Sequence, residues 1–326
     1  MIDNEFEIAK VIGMGGSSKV FLAHASDGSK VAIKAIRKDK KYTKAAASSM
    51  LNREYSMLQK LEAHPNIIKS LGGNFDGQVV LKNESEDIMY NVLEYAHHGP
   101  LSKFVRYTGG LEEEIARLYI YQIADAIHFI HNLGYAHLDI KLENILLDKF
   151  FNIKVADLGS CTNIKDKKGF TKVRRGTLLY MAPEVAALKA KQEFDARSAD
   201  IYSLGVTIYL LLTGEFPDAQ EVQNSFITCA SERRETLDTE MEEDYKTKDA
   251  FSTLSEEVKL LIQSMLHPDS CKRPTIFQVL EYSWMAKPFS SDILEEVFNE
   301  MNYRKKYIVE YCKNQKAPLG QLAPGS

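Results

Sequence analysis

The sequence predicts an α+β fold in two lobes, and three observations predict it. Residues 6–96 read mainly as strands, residues after 97 read mainly as helices, and a length of 326 residues suits about two domains or lobes. Taken in order, Phe6 to Ile12 alternates and a Gly cluster follows. Val20 to His24 and Lys30 to Ile36 are two further strands, with Asp27-Gly28 as a turn signal between them. Ala45 to Leu61, rich in Ala, Met, Leu and Glu, reads as a helix stopped by His64-Pro65. Two more β-like runs lie near Val79–Leu81 and Ile88–Tyr95. Beyond them the period changes. From Leu111 to Leu133, apolar residues recur at Ile115, Leu118, Ile123, Ala126, Ile127 and Ile130, with Glu112 to Glu114 in the first turn and Gly134 as the stop. Further helices are predicted over 198–213, 255–266 and 274–282.

Composition closes off several function classes. Hydrophobic residues at 44% and charged residues at 26% are globular values. A net charge of −4 argues against a nucleic-acid footprint. The longest apolar run without charge, Ile201 to Thr213, is too short to span a bilayer. Met1 to Glu5 shows neither a basic nor an apolar leader. Cys161, Cys229, Cys271 and Cys312 are far apart, as free thiols in a reducing compartment would be. A soluble cytoplasmic protein is the expectation, with the nucleus left open. Charge by region says more than the total. Residues 1–96 carry 13 basic and 12 acidic side chains (+1), residues 97–287 carry 23 and 28 (−5), and 221–257 alone carries 4 and 11 (−7).

Gly13-Met14-Gly15-Gly16-Ser17-Ser18 alone says little. A dinucleotide-binding loop needs a helix directly after it, but Val20-Phe21-Leu22-Ala23 reads as a strand. A Walker A loop fails as well, because Ser18 precedes Lys19. What remains is a hairpin whose tip is either an ordinary turn or a close approach to phosphate through exposed N–H groups.

The later motifs decide between these. Val31-Ala32-Ile33-Lys34 is followed by Glu54 on the next helix, then by His137-Leu138-Asp139-Ile140-Lys141-Leu142-Glu143-Asn144 and Asp157-Leu158-Gly159. Ala182-Pro183-Glu184, Asp200 to Gly205 and Arg273 complete the order. From about Phe6 to Pro288 the sequence resembles the eukaryotic protein kinase family, serine/threonine branch. The resemblance implies the bilobal protein kinase fold, with a small β-rich lobe at about 6–96 and a larger helical lobe at about 97–288. Residues 289–326 form a tail.

Phosphoryl transfer needs positioning and charge neutralisation more than covalent chemistry. By the resemblance, ATP lies under Ile12, Gly13, Gly15, Gly16 and Val20, with Ala32 and Leu146 sandwiching adenine. Its edge meets the backbone around Glu94 to Ala96, and Leu93 limits the back pocket. Lys34, oriented by Glu54, pairs with the α/β-phosphates. Asn144 and Asp157 supply oxygen ligands to Mg²⁺. Asp139 is the base that takes the proton of a protein Ser/Thr hydroxyl, and Lys141 contacts the transferring phosphate. Thr177 then hydrogen-bonds Asp139 and Lys141, Glu184 pairs with Arg273, and Asp200 receives backbone N–H groups of the catalytic loop. Leu58, Leu71, His137 and Leu158 match the family's internal regulatory stack.

Two departures stand out. Leu158 replaces the family's Phe and keeps its apolar character. Leu138 replaces an Arg that reads phosphate on the activation segment, which leucine cannot do. Catalysis independent of phosphorylation at Ser160, Thr162 or Thr171 is the expectation. The alternative from another class is a pseudokinase or nucleotide-binding scaffold, against which all six chemistry-bearing residues are present. In the tail, Ile293, Leu294, Val297, Phe298 and Met301 share a helical face before Arg304-Lys305-Lys306. That pattern suits either a terminal helix packed on the protein or a calmodulin-binding or autoinhibitory element.

Overall fold

Alternation in the first hundred residues builds one antiparallel sheet. Strands β1 (Glu7–Met14), β2 (Ser18–His24), β3 (Lys30–Arg37), β4 (Ser70–Leu81) and β5 (Glu84–Glu94) lie in the order β1-β2-β3-β5-β4. This computed structural model describes residues 1–15, 18–37, 44–81, 84–165, 168–217 and 250–314. The chain divides into two compact units. The first holds Met1–Pro100, Ile145–Cys161 and Glu300–Ser326, and the second holds Leu101–Asn144 and Thr162–Asn299.

In the first unit, helix α1 (Lys44–Leu61) packs on the sheet face that carries Ile36 and Met89, where Leu51 joins them. The opposite face holds Phe21, Val31, Ile33, Val79, Tyr90 and Val92 around Ile2, which has no exposed surface. Ile2 is fixed by its neighbour. Asp3 accepts hydrogen bonds from the Gln78 N–H (2.6 Å), Asn74 (2.7 Å) and the Tyr90 hydroxyl (2.7 Å). Ile2 and the partly buried Phe6 are therefore part of this core. Short strands β6 (Gly99–Pro100), β8 (Ile145–Leu147) and β9 (Ile153–Val155) form a second sheet of the unit.

Strand β4 is longer than its sequence signal. Only Val79–Leu81 reads as β, because Gly72, Gly73 and Gly77 interrupt the apolar alternation that marks a strand. Register shifts between Ser70 and Gly72 and between Asn74 and Gly77 absorb the irregularity. The first shift corrects an expectation. Leu71 is not part of an internal stack but 57% exposed, because the bulge turns its side chain to solvent. Leu58 and Leu158 are buried as expected.

The second unit is helical. Its main helices are α2 (Leu101–Thr108), α3 (Glu113–Asn132), α4 (Pro183–Ala186), α5 (Ala196–Thr213), α6 (Glu256–Met265), α7 (Ile276–Leu280) and α8 (Ser283–Ala286). Helix α5 is buried on all sides, as its unbroken apolar run demands. It starts at Asp195, whose carboxylate accepts the N–H groups of Arg197 and Ser198, and stops at Gly214 in the left-handed region (φ 82°). Two short ribbons, β7 (Tyr135–Ala136) with β10 (Thr162–Asn163) and β11 (Phe170–Thr171) with β12 (Phe194–Asp195), complete the unit.

The last helix, α9 (Ile293–Asn314), buries Ile293, Val297, Met301, Arg304, Ile308 and Cys312, a stripe at i+3/i+4 spacing. Leu294 and Phe298, expected on that face, are exposed. No helix among the described residues is long and apolar enough to cross a membrane.

Candidate active site

Each unit carries one group of the chemistry-bearing residues. In the first unit, Lys34 lies in β3 and its ammonium is 2.8 Å from both Glu54 Oε1 on α1 and Asp157 Oδ1. Asp157 adopts left-handed backbone (φ 58°, ψ 62°), which turns its carboxylate back to the lysine while Leu158 is fully buried. Burial opposes the charge on Lys34, but the carboxylates of Glu54 and Asp157 outweigh it and raise its pKa above the ordinary lysine value. Burial also raises the Glu54 pKa, with Lys34 pulling the other way. At neutral pH this is a paired cation held in a fixed direction.

Around it are the residues expected to line a nucleotide. Gly13 pairs with Val20 across the β1–β2 hairpin, and the Gly15 N–H donates to the Ser18 carbonyl (2.8 Å). A Cβ on Gly13 would touch the Val20 side chain at 3.4 Å. Ile12 is half-exposed, while Ala32 and Leu93 are buried and directly paired in the sheet. Gly16 lies outside the described residues. The Glu94 carboxylate ties neighbouring segments together, accepting from the Lys69 N–H (2.8 Å) and from Lys154 (3.0 Å). Its N–H donates to the Lys69 carbonyl, and Ala96 is buried just beyond. Leu146 sits in β8 opposite Pro100.

In the second unit, Asp139 is the centre of a short network. Thr177 donates to Asp139 Oδ1 (2.8 Å), Lys141 donates to Thr177 Oγ1 (2.6 Å), and the Lys141 ammonium is 2.9 Å from Asp139 Oδ2. Asn144 donates its amide N–H to the Asp139 carbonyl oxygen (2.8 Å) and to Oδ2 (3.1 Å), so both bonds use its amide nitrogen and neither its amide oxygen. The loop itself is held from below. Asp200, with no exposed surface, accepts the N–H groups of His137 and Leu138, both at 2.7 Å. His131 adds a third contact at 2.9 Å that no sequence signal announced, since the pair is 69 positions apart. His137 is a core residue, and its Nδ1 accepts the Asp139 N–H (3.1 Å).

Leu138 takes positive φ (61°) and is buried against Ala136, Ile164, Ala182, Val185 and Phe194. Gly176 follows the same loop closely, because a Cβ there would lie 2.6 Å from the Leu138 carbonyl oxygen. Arg273 holds Glu184 with two parallel bonds of 2.7 Å, as the motif order implied. Tyr180 donates to Glu143 Oε2 (3.1 Å), a contact the sequence did not suggest. Beside it Leu178 and Leu179 are exposed.

Residues 6–285 match the protein kinase domain family. Among curated proteins, the chain is similar to CBL-interacting protein kinase 25 of Oryza sativa subsp. japonica, 29% identical over 297 residues, covering 89% of this chain and 52% of that protein. It is likewise similar to two proteins of Arabidopsis thaliana. CBL-interacting serine/threonine-protein kinase 2 is 32% identical over 295 residues (88% and 58%), and CBL-interacting serine/threonine-protein kinase 7 is 32% identical over 298 (90% and 63%). The chain thus spans about half to three fifths of the length of these relatives. The ordered motifs, the strand-rich sheet with its Lys34–Glu54 pair, and a family match over 6–285 agree, and the chain belongs to the protein kinase domain family.

Proposed function

We propose that this chain is an ATP- and Mg²⁺-dependent serine/threonine protein kinase. The observation that carries the reading is the Asp139–Thr177–Lys141 network, which presents a carboxylate fixed at both oxygens beside an ammonium. In this reading Asp139 accepts the proton of the substrate hydroxyl. The hydroxyl oxygen bonds to the γ-phosphorus as the bond from phosphorus to the β–γ bridging oxygen breaks. Lys141 neutralises charge on the transferred group, and Lys34 holds the α/β-phosphates in line. A positioned base of this kind contributes about 10²–10⁴-fold.

Each unit offers one oxygen donor of the kind that a hard cation takes. Asn144 offers an amide oxygen, and the Asp157 carboxylate is 44% exposed. No cluster of three His, Cys, Asp or Glu side chains arranged for a metal occurs among the described residues. When bound, the metal neutralises charge developing on the phosphates. Ile12, Gly13, Gly15, Val20, Ala32, Leu93, the backbone from Glu94 to Ala96, and Leu146 would form the nucleotide envelope.

The resemblance of Lys141 and Gly176-Thr177 to the serine/threonine branch supports protein substrates with a Ser or Thr acceptor, and exposed Glu143 favours a basic residue near the acceptor. The relatives' names mark them as CBL-interacting, so a regulatory protein partner is the expectation here as well. For α9, a buried apolar stripe favours the packed terminal helix over a calmodulin-binding or autoinhibitory element. The test is transfer of labelled phosphate from ATP to a degenerate Ser/Thr peptide library, beside an Asp139→Asn control. We expect the control to lose at least about 10²-fold; equal signal from both proteins would leave the scaffold alternative.

A further inference from the structure

Strand β5 carries a polar side chain where its neighbours on the same face are apolar. The β3–β5 register pairs Ile36 with Met89, Lys34 with Asn91 and Ala32 with Leu93. Directly paired residues share one face of the sheet, and Lys34 reaches Glu54 on α1 from that face. Asn91 therefore lies under α1, between Met89, which packs with Leu51, and Leu93. It has no exposed surface, and among the described residues neither its amide oxygen nor its amide nitrogen finds a hydrogen-bond partner. An apolar residue of similar shape would be favoured there if packing were the only demand. The far side is fitted to it as well. On β4 the residue paired with Asn91 is Gly73, and a Cβ there would stand 3.0 Å from Asn91 Oδ1 and 2.8 Å from the Tyr90 carbonyl.

The residue paired with Asn91 on β3 is Lys34. An ammonium has three N–H donors, and Glu54 Oε1 and Asp157 Oδ1 take two. We propose that Asn91 is a positioning residue for Lys34: when Asp157 turns from the lysine to serve a metal, the Asn91 amide rotates from the β4 side, where its oxygen lies beside Gly73, and that oxygen accepts a hydrogen bond from the ammonium. Lys34 then keeps two fixed partners, Glu54 and Asn91, and stays aimed at phosphate. This inference rests on the phosphotransfer reading of the site, and it assigns Asn91 a role in nucleotide binding, not in proton transfer.

The test compares Asn91→Ser, Asn91→Ala and Asn91→Leu in the full chain by calorimetric titration with ADP, with and without Mg²⁺, and with adenosine. Ser and Ala differ by one hydroxyl and little volume. The expected result is ADP affinity about fivefold or more weaker for Asn91→Ala than for Asn91→Ser with Mg²⁺. Without Mg²⁺ the difference should shrink to within twofold, and adenosine should not distinguish the two. Asn91→Leu should melt at or above the wild-type temperature while losing ADP affinity with Mg²⁺. Equal ADP affinities for Ser and Ala, or a difference that persists without Mg²⁺ or extends to adenosine, would overturn the proposal. So would a lowered melting temperature for Asn91→Leu, since the amide would then be satisfied within the fold. A wild type that binds no ADP and transfers no phosphate would instead defeat the kinase reading itself.

Discussion

Leu138 concentrates the difference between the proposed catalytic loop and one that reads phosphate. Its backbone sits in the left-handed region (φ 61°), unusual for a side chain of this size, while its side chain is buried among Ala136, Ile164, Ala182, Val185 and Phe194. Packing must outweigh the backbone cost. Leu138→Ala should therefore destabilise the protein by about 2–5 kcal/mol, measured by chemical denaturation; a change under about 1 kcal/mol would mean the cluster does not fix the loop. Gly176 carries the complementary constraint. With φ at 109° and the Leu138 oxygen 2.6 Å from the position of a Cβ, Gly176→Ala combines an unfavourable backbone with a clash. Because Thr177 is the next residue and donates to Asp139, the expected signature is a fall in kcat of at least about tenfold, near 1.4 kcal/mol, with KM for ATP within about twofold. A variant that kept kcat would show that Thr177 is positioned from elsewhere.

At the scale of elements, the stretch from Phe170 to Glu184 is anchored without any phosphate. Strand β11 pairs with β12, Thr171 is 1% exposed with its Oγ1 accepting the Val173 N–H, and Arg273 holds Glu184. A kinase modifying Thr171 would first have to unfold this ribbon. We expect Thr171→Ala to lose less than about tenfold in transfer rate, and a larger loss would sink phosphorylation-independent activity. The helical unit has a second joint of the same sort. Glu113, in the first turn of α3, accepts from the Ser255 N–H (2.6 Å), the Ser255 hydroxyl (2.8 Å) and Trp284 Nε1 (3.1 Å), joining α3 to the starts of α6 and α8. Burial works against its charge, but these donors and Lys287 prevail and lower its pKa below the ordinary 4.5. A lowered pKa stabilises the fold above the unfolded value and loses that contribution as pH falls through the folded one. Glu113→Gln should thus melt lower than wild type from pH 6 to 8, by about 1 kcal/mol given its partial exposure. The two curves should converge as the pH falls below 4.5 and through the lowered value. A gap that stayed constant into acid would assign the effect to shape and not to charge.

For the molecule as a whole, what could be read beforehand separates by the range of the signal. Strands β2 and β3, helix α3 and helix α5 follow from local period and local stops, and their limits lie within a few residues of the expected ones. Lys34, Glu54, Asp139 and Asn144 were legible through motif order. Leu71, His131, Tyr180 and Asn91 were not, because a bulge or a partner tens of residues away decides their surroundings. The tail shows both cases. Its amphipathic period predicted a helix, but which stripe is buried depends on the surface that receives it, and α9 turns Ile293, Val297, Met301, Ile308 and Cys312 inward while Leu294 and Phe298 face solvent. Full burial of an apolar side chain of this size is worth about 1.5–3 kcal/mol, an upper bound that the ordering of 22 helical residues partly offsets. Removing the helix also uncovers the residues beneath it. Truncation after Pro288 should therefore lower the melting temperature by about 5 °C or more and promote aggregation, although every residue assigned to phosphoryl transfer remains. A truncated protein that melts within about 1 °C of the full chain and stays monomeric would show that α9 is not part of the stable core, and would return the tail to the reading of a detachable, partner-binding helix.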